Sequence, residues 1–305
     1  MPVESPPPLP LLITGIAGVA GFNAFHHFSS RYPGQVIGLR RKDNWPLSGD
    51  GIVGCNLDDH DGLFRLFEKH RFAAVLNSEG CCALKSCEFD PHMAWRVNVL
   101  GVENLLEATR HFGSRLLHVS IDLVFSGDGE GGYLEDAPTD PVTIYGKTMV
   151  QSEQLVMHEC PDAAVLRISL PMGISFNGHA GAVDWIQSRF KQNKPATLYF
   201  DEVRTPTYTD CMNPVFADVL SSDLKGIFHA GGPRNLSLFE IAQVVNSVGG
   251  YRPELLRGCP RIEAGPMPPR AGDVTMTSNR LAEELGYQPF APWPLREEWV
   301  PTDRE

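Results

Sequence analysis

Apolar positions in the first half of the chain fall in short blocks separated by longer stretches with helical spacing. "LPLLITG" ends in a glycine turn and leads into the helical "FNAFHHFSSRY". "QVIGLRR", "GIVGCNL" and "FAAVLNS" are further strand-like runs, with the amphipathic "DGLFRLFEKH" between the last two. "MAWRVNVLGVENLLEATRHFG" has the spacing of one long helix and feeds "SRLLHVS"; a helix from about Tyr145 and a strand at "AAVLRIS" follow. Near-continuous apolar runs alternating with amphipathic helices predict βαβ units around a buried parallel sheet. After about Pro171 the rhythm loosens into short pieces such as "ATLYF" and "GIFHA". Two later helices stand out: "SLFEIAQVVNSVGG", with a Ser237/Glu240 capping box, and "SNRLAEELG", stopped by Gly286.

Composition narrows the class. Of 305 residues, 42% are apolar and 21% charged, ordinary values for a soluble globular protein. The 26 basic and 37 acidic residues give a net charge of −11, which opposes a general nucleic-acid or anionic-membrane surface. No stretch has the length of a membrane span. Residues 1–10, "MPVESPPPLP", read as a loose, disordered proline-rich tail rather than a signal peptide. Of seven cysteines, Cys81, Cys82 and Cys87 cluster without C-x-x-C pairing or a nearby His. They read as reduced thiols of a cytoplasmic protein, with no metal site.

Candidate chemistry begins at "ITGIAGVAGFNAF". Gly15, Gly18 and Gly21, with Ile16, Ala17 and Val19 between them, form a G-x-x-G-x-x-G turn after the first strand, where the first helix opens. Glycines there permit the tight turn, the approach of a pyrophosphate and close helix–strand packing, and the helix N-terminus favours the anion. The second strand ends in "GLRRKD", with Arg40 and Arg41 where an NAD site carries an acid, so NADP(H) is the expected cofactor. The fold class is therefore α/β: a Rossmann-type doubly wound parallel sheet over 11–170, with some later segments returning to it. A smaller C-terminal α/β lobe, mainly substrate-binding, is expected over 171–305.

The ordered set "TGIAGVAG", "NLDD", "VLNSEG", "RVNVLGVENL", "HVSIDLVFSG", "DPVTIYGKT", "VLRIS", "RTPTYTD" and "PPRAGDVTM" spans nearly the whole chain. In it the chain resembles the extended short-chain dehydrogenase/reductase family. The branch it looks most like contains dTDP-4-dehydrorhamnose reductase and the regulatory β subunit of methionine adenosyltransferase. The resemblance implies adenine-side contacts from Asn56, Leu57 and Asp58, cleft positions for Asn77 and Asn98, and a tyrosine, Tyr145, that gives a proton to a sugar keto oxygen. It implies substrate contacts from Asp122, Val124, Arg204, Thr205 and Arg270.

Two family positions are altered. The hydroxyl expected after Ser120 is replaced by Ile121, and the lysine four residues after Tyr145 by Met149. Successive strand residues face opposite ways, so Ser120 is a poor substitute. An ammonium roughly 4 Å from a phenol, at an effective dielectric near 20, favours phenolate by about 4 kcal/mol. That is up to about three pKa units. Lys147 lies on another helix face, and Lys85 is the remaining nearby cation. The expected function is an NADP-dependent reductase of a nucleotide-linked sugar or similar small carbonyl, with an atypical catalytic set of Tyr145, Ser120, Ile121 and Met149. The alternative is a non-catalytic NADP- or sugar-nucleotide-binding regulatory protein. The stripe Leu105, Leu106, Thr109 and Phe112 suits either the core or a homodimer surface.

Overall fold

The alternating pattern builds a seven-stranded parallel sheet with helices on both faces. The computed structural model describes residues 6–178 and 181–302. Its first half runs β1 (Leu11–Ile13), α1 (Val19–Arg31), β2 (Val36–Arg40), β3 (Ile52–Gly54), α2 (His60–His70) and β4 (Ala74–Asn77). Three helices follow: α3 (Leu84–Phe89), α4 (Pro91–Trp95) and α5 (Gly101–Phe112). They precede β5 (Arg115–Ile121), α6 (Ile144–Glu159) and β6 (Ala164–Ile168). The single long helix expected before β5 is interrupted, because Arg96–Leu100 forms a π-helical turn between α4 and α5. The remainder comprises β7 (Pro171–Met172), α7 (Ala182–Lys191), β8 (Ala196–Tyr199), β9 (Val203–Arg204), β10 (Thr207–Tyr208) and α8 (Thr209–Ser221). It ends with β11 (Gly226–Ala230), β12 (Leu236–Ser237), α9 (Leu238–Val248), β13 (Leu256–Cys259) and α10 (Asn279–Leu285).

The strand order is β11-β6-β5-β4-β1-β2-β3, with every neighbouring pair parallel. Strand order reverses between β1 and β4, which opens a crevice at their carboxyl ends. On one face Phe25 and Phe28 of α1, Phe216 and Leu220 of α8 and Leu281 of α10 pack against the sheet. On the other, Leu63, Leu66 and Phe67 of α2 meet Val102, Leu105 and Leu106 of α5 and Val156 of α6. Full burial of each such side chain stabilises by about 1.5–3 kcal/mol. Leu105, Leu106 and Thr109 are thus interior, which settles their stripe as core. Residues after Pro171 supply β11 and α8 to this unit. A separate core, including Ile186, Phe190, Leu198, Ile241 and Val245, joins α7, α9 and the short β8–β13 pair.

The expected loose tail divides. Residues 1–5 lie outside the described residues, whereas 6–10 are seated on the sheet. The Pro10 carbonyl accepts from Ala73 N at 2.9 Å, Leu9 packs on the core, and Ser221 Oγ donates to the Pro6 carbonyl at 2.8 Å. The tail prolines leave their carbonyls free to accept, and the edge of β4 supplies the donor.

Buried polar side chains cross the strand ends in one connected line. Thr14 Oγ1 donates to Asn77 Oδ1 at 2.6 Å, Asn77 Nδ2 to His118 Nδ1 at 2.8 Å, and Ser152 Oγ to the Met149 carbonyl at 2.8 Å. His118 Nε2 lies 3.2 Å from Ser152 Oγ. With the Ser152 hydrogen committed to Met149, the remaining link requires the neutral Nε2–H tautomer of His118. Burial holds that imidazole down at about 4. A second buried set joins α6 to β5 and β6: Glu153 pairs with Arg167 through Nη2 at 2.8 Å and accepts from Ser120 Oγ at 2.5 Å.

Because the folded-state pKa of His118 is depressed, its contribution to stability is present above the unfolded value of about 6.5 and is lost as pH falls towards 4. Urea denaturation of wild type and His118→Asn at pH 7, 6 and 5 tests this. The pH slope of stability below 6.5 should be smaller in the variant by about 1.4 kcal/mol per unit. Equal slopes would place the titration elsewhere.

Candidate functional site

Gly15 takes φ 66°, and a Cβ there would meet Ser78 O at 2.4 Å and Glu79 N at 2.6 Å, so only glycine fits between β1 and the segment after β4. A Cβ on Gly21 would meet Gly15 O and Ser78 Oγ, both at 2.5 Å. Gly18 caps α1 without a side-chain hydrogen bond, and no acid sits in the first turn. Ile16 N donates to Leu39 O at 3.3 Å and Gly18 N to Gly15 O at 3.0 Å, so the donors this turn can offer an anion are those of Ala17 and Val19 at the start of the helix.

The two arginines at the end of β2 separate in role. Arg40 is tied to its own loop: Nε donates to Leu47 O at 2.6 Å, and Nη1 to Arg41 O at 2.9 Å and Lys42 O at 3.3 Å. Arg41 is held only at its rim, with Nε 3.4 Å from Asp43 Oδ1. Asn56 Oδ1 accepts from Lys42 N at 2.8 Å, Leu57 is buried, and Asp58 pairs with Arg96 at 3.0 Å. Asn77 is spent in the buried line described above and does not open onto the crevice.

Glu79 is the residue sequence reasoning missed here. It is buried beside the Gly15 turn, and its Oε2 has no hydrogen-bond partner among the described residues. Burial pushes its carboxyl up to about 8, while Arg41 pulls it down and Asp58 and Asp43 push it further up. That shift favours the protonated carboxyl beside the Gly15 turn. The available signal was "NSEG" itself, an acid two residues beyond a buried strand end.

Tyr145 lies in the first turn of α6, capped by Thr143, whose Oγ1 accepts from Gly146 N at 2.9 Å. Asn98, in the π-helical turn, braces this turn. Its Nδ2 donates to Thr148 Oγ1 at 2.9 Å, Thr148 donates to Tyr145 O at 2.8 Å, and Asn98 Oδ1 accepts from Cys81 N at 2.7 Å. Burial pushes the Tyr145 phenol well above its ordinary value, and the neighbouring Cys82, Asp122, Cys87 and Cys81 reinforce it. Met149 is buried one turn on, in an apolar cluster with Tyr145, Val124, Phe125 and Met276. Neither nearby lysine replaces the missing cation: Lys147 is exposed, and the exposed Lys85 lies over the Phe89 ring at 5.7 Å. Ile121 packs at the edge of that cluster, and Ser120 turns the opposite way towards Glu153. The site can donate a proton from Tyr145, but among the described residues no cation stands beside the phenol to stabilise a phenolate.

Arg204, Arg270 and Asp122 of the expected substrate set gather around Glu202, in the "DEVR" stretch that could equally have been a surface turn or a place for acids near a ligand. Arg270 Nη2 donates to Glu202 Oε2 at 2.9 Å, its Nε also reaches that carboxylate, and its guanidinium lies 4.6 Å from the Tyr199 ring centroid. Arg204 Nη2 lies 3.6 Å from Glu202 and Arg204 Nε 3.6 Å from Asp122, whose Oδ2 accepts from Ser169 at 2.7 Å. Two arginines thus face two carboxylates. The spacing of Glu202 and Arg204 along one strand face is the signal that pairs them. Thr205 is buried, and Val124 is fully buried in the core, so its side chain is packing rather than a contact surface.

Known proteins resemble this chain along most of its length. The chain is 28% identical over 273 residues to the dTDP-4-dehydrorhamnose reductase of Mycolicibacterium smegmatis, covering 85% of this chain and 80% of that one. It is 27% identical over 244 residues to methionine adenosyltransferase 2 subunit beta of Xenopus laevis, covering 76% and 69%. The solved dTDP-4-dehydrorhamnose reductase of Bacillus anthracis str. Ames, in complex with NADP, superposes with a TM-score of 0.79 at 20% identity, over 93% and 95% of the two chains. The family model described as "RmlD substrate binding domain" matches residues 9–296, and the chain belongs to that family.

Proposed function

We propose that this protein is an NADP(H)-binding reductase of the dTDP-4-dehydrorhamnose reductase type, acting on the keto group of a nucleotide-linked sugar and working in the reducing direction. The observation that carries this reading is Tyr145: buried at the crevice, braced by Asn98 through Thr148, and held in its protonated form. In this reading Gly15, Ile16, Ala17, Gly18, Val19 and Gly21 hold the pyrophosphate, Arg41 the adenosine-side phosphate, and Asn56, Leu57 and Asp58 the adenine side. Asn98 and Tyr145 border the nicotinamide end, and the cofactor supplies a hydride when bound. Tyr145 gives its Oη proton to the oxygen of the reduced carbonyl; a phenol remains a stronger acid than the alcohol it forms. Alcohol oxidation requires Tyr145 to start as phenolate, and Met149 provides no charge to support that form.

A second reading, a cofactor-binding regulatory protein, is favoured by one observation: Ile121 and Met149 put apolar side chains where the catalytic set carries a hydroxyl and an ammonium. It is in keeping with the likeness to the methionine adenosyltransferase 2 beta subunit.

NADPH binding followed by nicotinamide fluorescence separates the two arginines. Arg41→Ala should weaken binding by about tenfold or more, the worth of one charge-assisted hydrogen bond, whereas Arg40→Ala should change it less than about threefold. Equal losses would overturn the division of roles.

Affinity should also fall above about pH 8, where Glu79 ionises beside the phosphates, by up to about tenfold per unit if one proton is taken up on binding. Glu79→Gln should flatten that limb. A wild-type profile already flat between pH 7 and 9 would exclude proton uptake there.

Single-turnover oxidation of bound NADPH by a dTDP-4-keto-6-deoxy sugar tests the activity itself. Tyr145→Phe should slow it by about 100-fold, and Met149→Lys should raise the oxidising direction by about tenfold or more. Tight NADPH binding with no turnover in wild type would select the regulatory reading.

A further inference from the structure

Cys81 and Cys87 pack in the same cluster as Tyr145, Cys82 lies near it, and neither reading of function uses them. Two of them form a pair in space. Cys81 precedes α3 and Cys87 is the fourth residue of that helix, so the helical turn brings the second sulfur back over the first. Cys87 Sγ lies 3.5 Å from Cys81 Sγ and 3.2 Å from the Cys81 carbonyl oxygen. A disulfide sulfur separation is about 2.04 Å, so the two sulfurs need to close by about 1.5 Å, within reach of a side-chain rotation. All seven cysteines are free thiols, and the pair is asymmetric in access: Cys81 is partly exposed and Cys87 fully buried.

The chemistry of the two thiols is asymmetric as well. Cys81 receives the S–H of Cys87 and the backbone N–H of Ala83, and the Arg41 charge adds to these, so its thiol is pulled below the ordinary range. The hydrogen bond to Cys81, and then burial, push Cys87 the other way. A partly exposed sulfur in front of a buried one is the arrangement needed between an attacking and a resolving thiol. Asn98 Oδ1, bonded to Cys81 N at 2.7 Å, fixes the attacking residue on a rigid turn.

We infer that Cys81 and Cys87 form a dithiol site at the mouth of the crevice that reacts with small disulfides, Cys81 attacking and Cys87 resolving. The Cys81 thiolate attacks one sulfur of the disulfide, forming a mixed disulfide and expelling one small thiolate. Cys87 then loses its proton and attacks Cys81 Sγ, breaking the mixed bond and expelling the second small thiolate. The two protein thiols are oxidised to one disulfide, the small disulfide is reduced to two thiols, and the two protons released from the protein end on those thiols. The site needs no nicotinamide cofactor and no sugar substrate, so it stands apart from the proposed reductase activity.

Oxidised glutathione is the probe. The reduced full-length protein is incubated with it, quenched in acid, alkylated and mapped by mass spectrometry. Wild type should gain an internal Cys81–Cys87 disulfide with the loss of two hydrogen atoms, and Cys87→Ser should instead trap one glutathione on Cys81. Cys81→Ser should lose the internal disulfide and leave Cys87 unmodified. Wild type also supports a measurement without mutation: alkylation of Cys81 should be half-maximal at least one pH unit below the value of about 8.5 of an ordinary thiol. A disulfide that includes Cys82, a Cys87→Ser protein with no adduct on Cys81, or a Cys81 alkylation midpoint in the ordinary range would each overturn the assignment.

Discussion

The structure turns on the buried hydrogen-bond line from Thr14 through Asn77 and His118 to Ser152 and the Met149 carbonyl. It joins β1, β4, β5 and α6 at the level where the sheet ends, and every member is buried. Each group left without its partner there costs about 1–3 kcal/mol, so the line holds as a unit. The Glu153–Arg167 pair, with Ser120, fixes the next turn of α6 against β5 and β6. Between them these two sets determine where α6 begins, and so where Tyr145 stands relative to the glycine turn. Removing one partner of such an ion pair leaves a buried charge, which gives both charges a positional role beyond their net stabilisation.

Much of the frame was legible because it depends on period and on glycine. Parallel strands buried on both faces must read as apolar runs, and the helices between them must carry a stripe. The capping box at Ser237 and Glu240 and the stop at Gly286 appear where the residues put them: Glu240 N donates to Ser237 Oγ at 3.1 Å, and Gly286 takes φ 75°. Gly15 is legible for the same reason, since its conformation and lack of space admit nothing else. The π-helical turn at Arg96–Leu100 was not legible, because a single extra residue per turn leaves the apolar spacing on either side almost unchanged.

The site was legible by position and poorly legible by role. Arg40 and Arg41 are adjacent and chemically identical, yet one is absorbed by three carbonyls of its own loop, a local geometry no spacing rule encodes. Ser120 and Ile121 separate correctly, because alternation along a strand is a strict constraint. Val124 and Asn77 sit in recognisable motifs but face the interior. Glu79 beside the Gly15 turn and the reach of Glu202 to Arg270 arise from segments that meet only after folding, and sequence neighbours give little notice of them; the Cys81–Cys87 cluster was visible, but the approach of its sulfurs depends on the local turn of α3.

Glu202 gives the mouth of the lobe a particular character. It engages Arg270 through both Nε and Nη2 and lies beside Arg204, while the Tyr199 ring flanks the Arg270 guanidinium. Both guanidinium groups are thereby aimed and desolvated before any ligand arrives, with the chain's own carboxylate acting as a tethered stand-in for one. If Arg270 binds an external anion, as the proposed function has it, that recognition would be an exchange of one oxyanion for another rather than the filling of a bare charge. Under the proposed function, selectivity at such a mouth would rest on how well the newcomer matches a fork already shaped by a carboxylate.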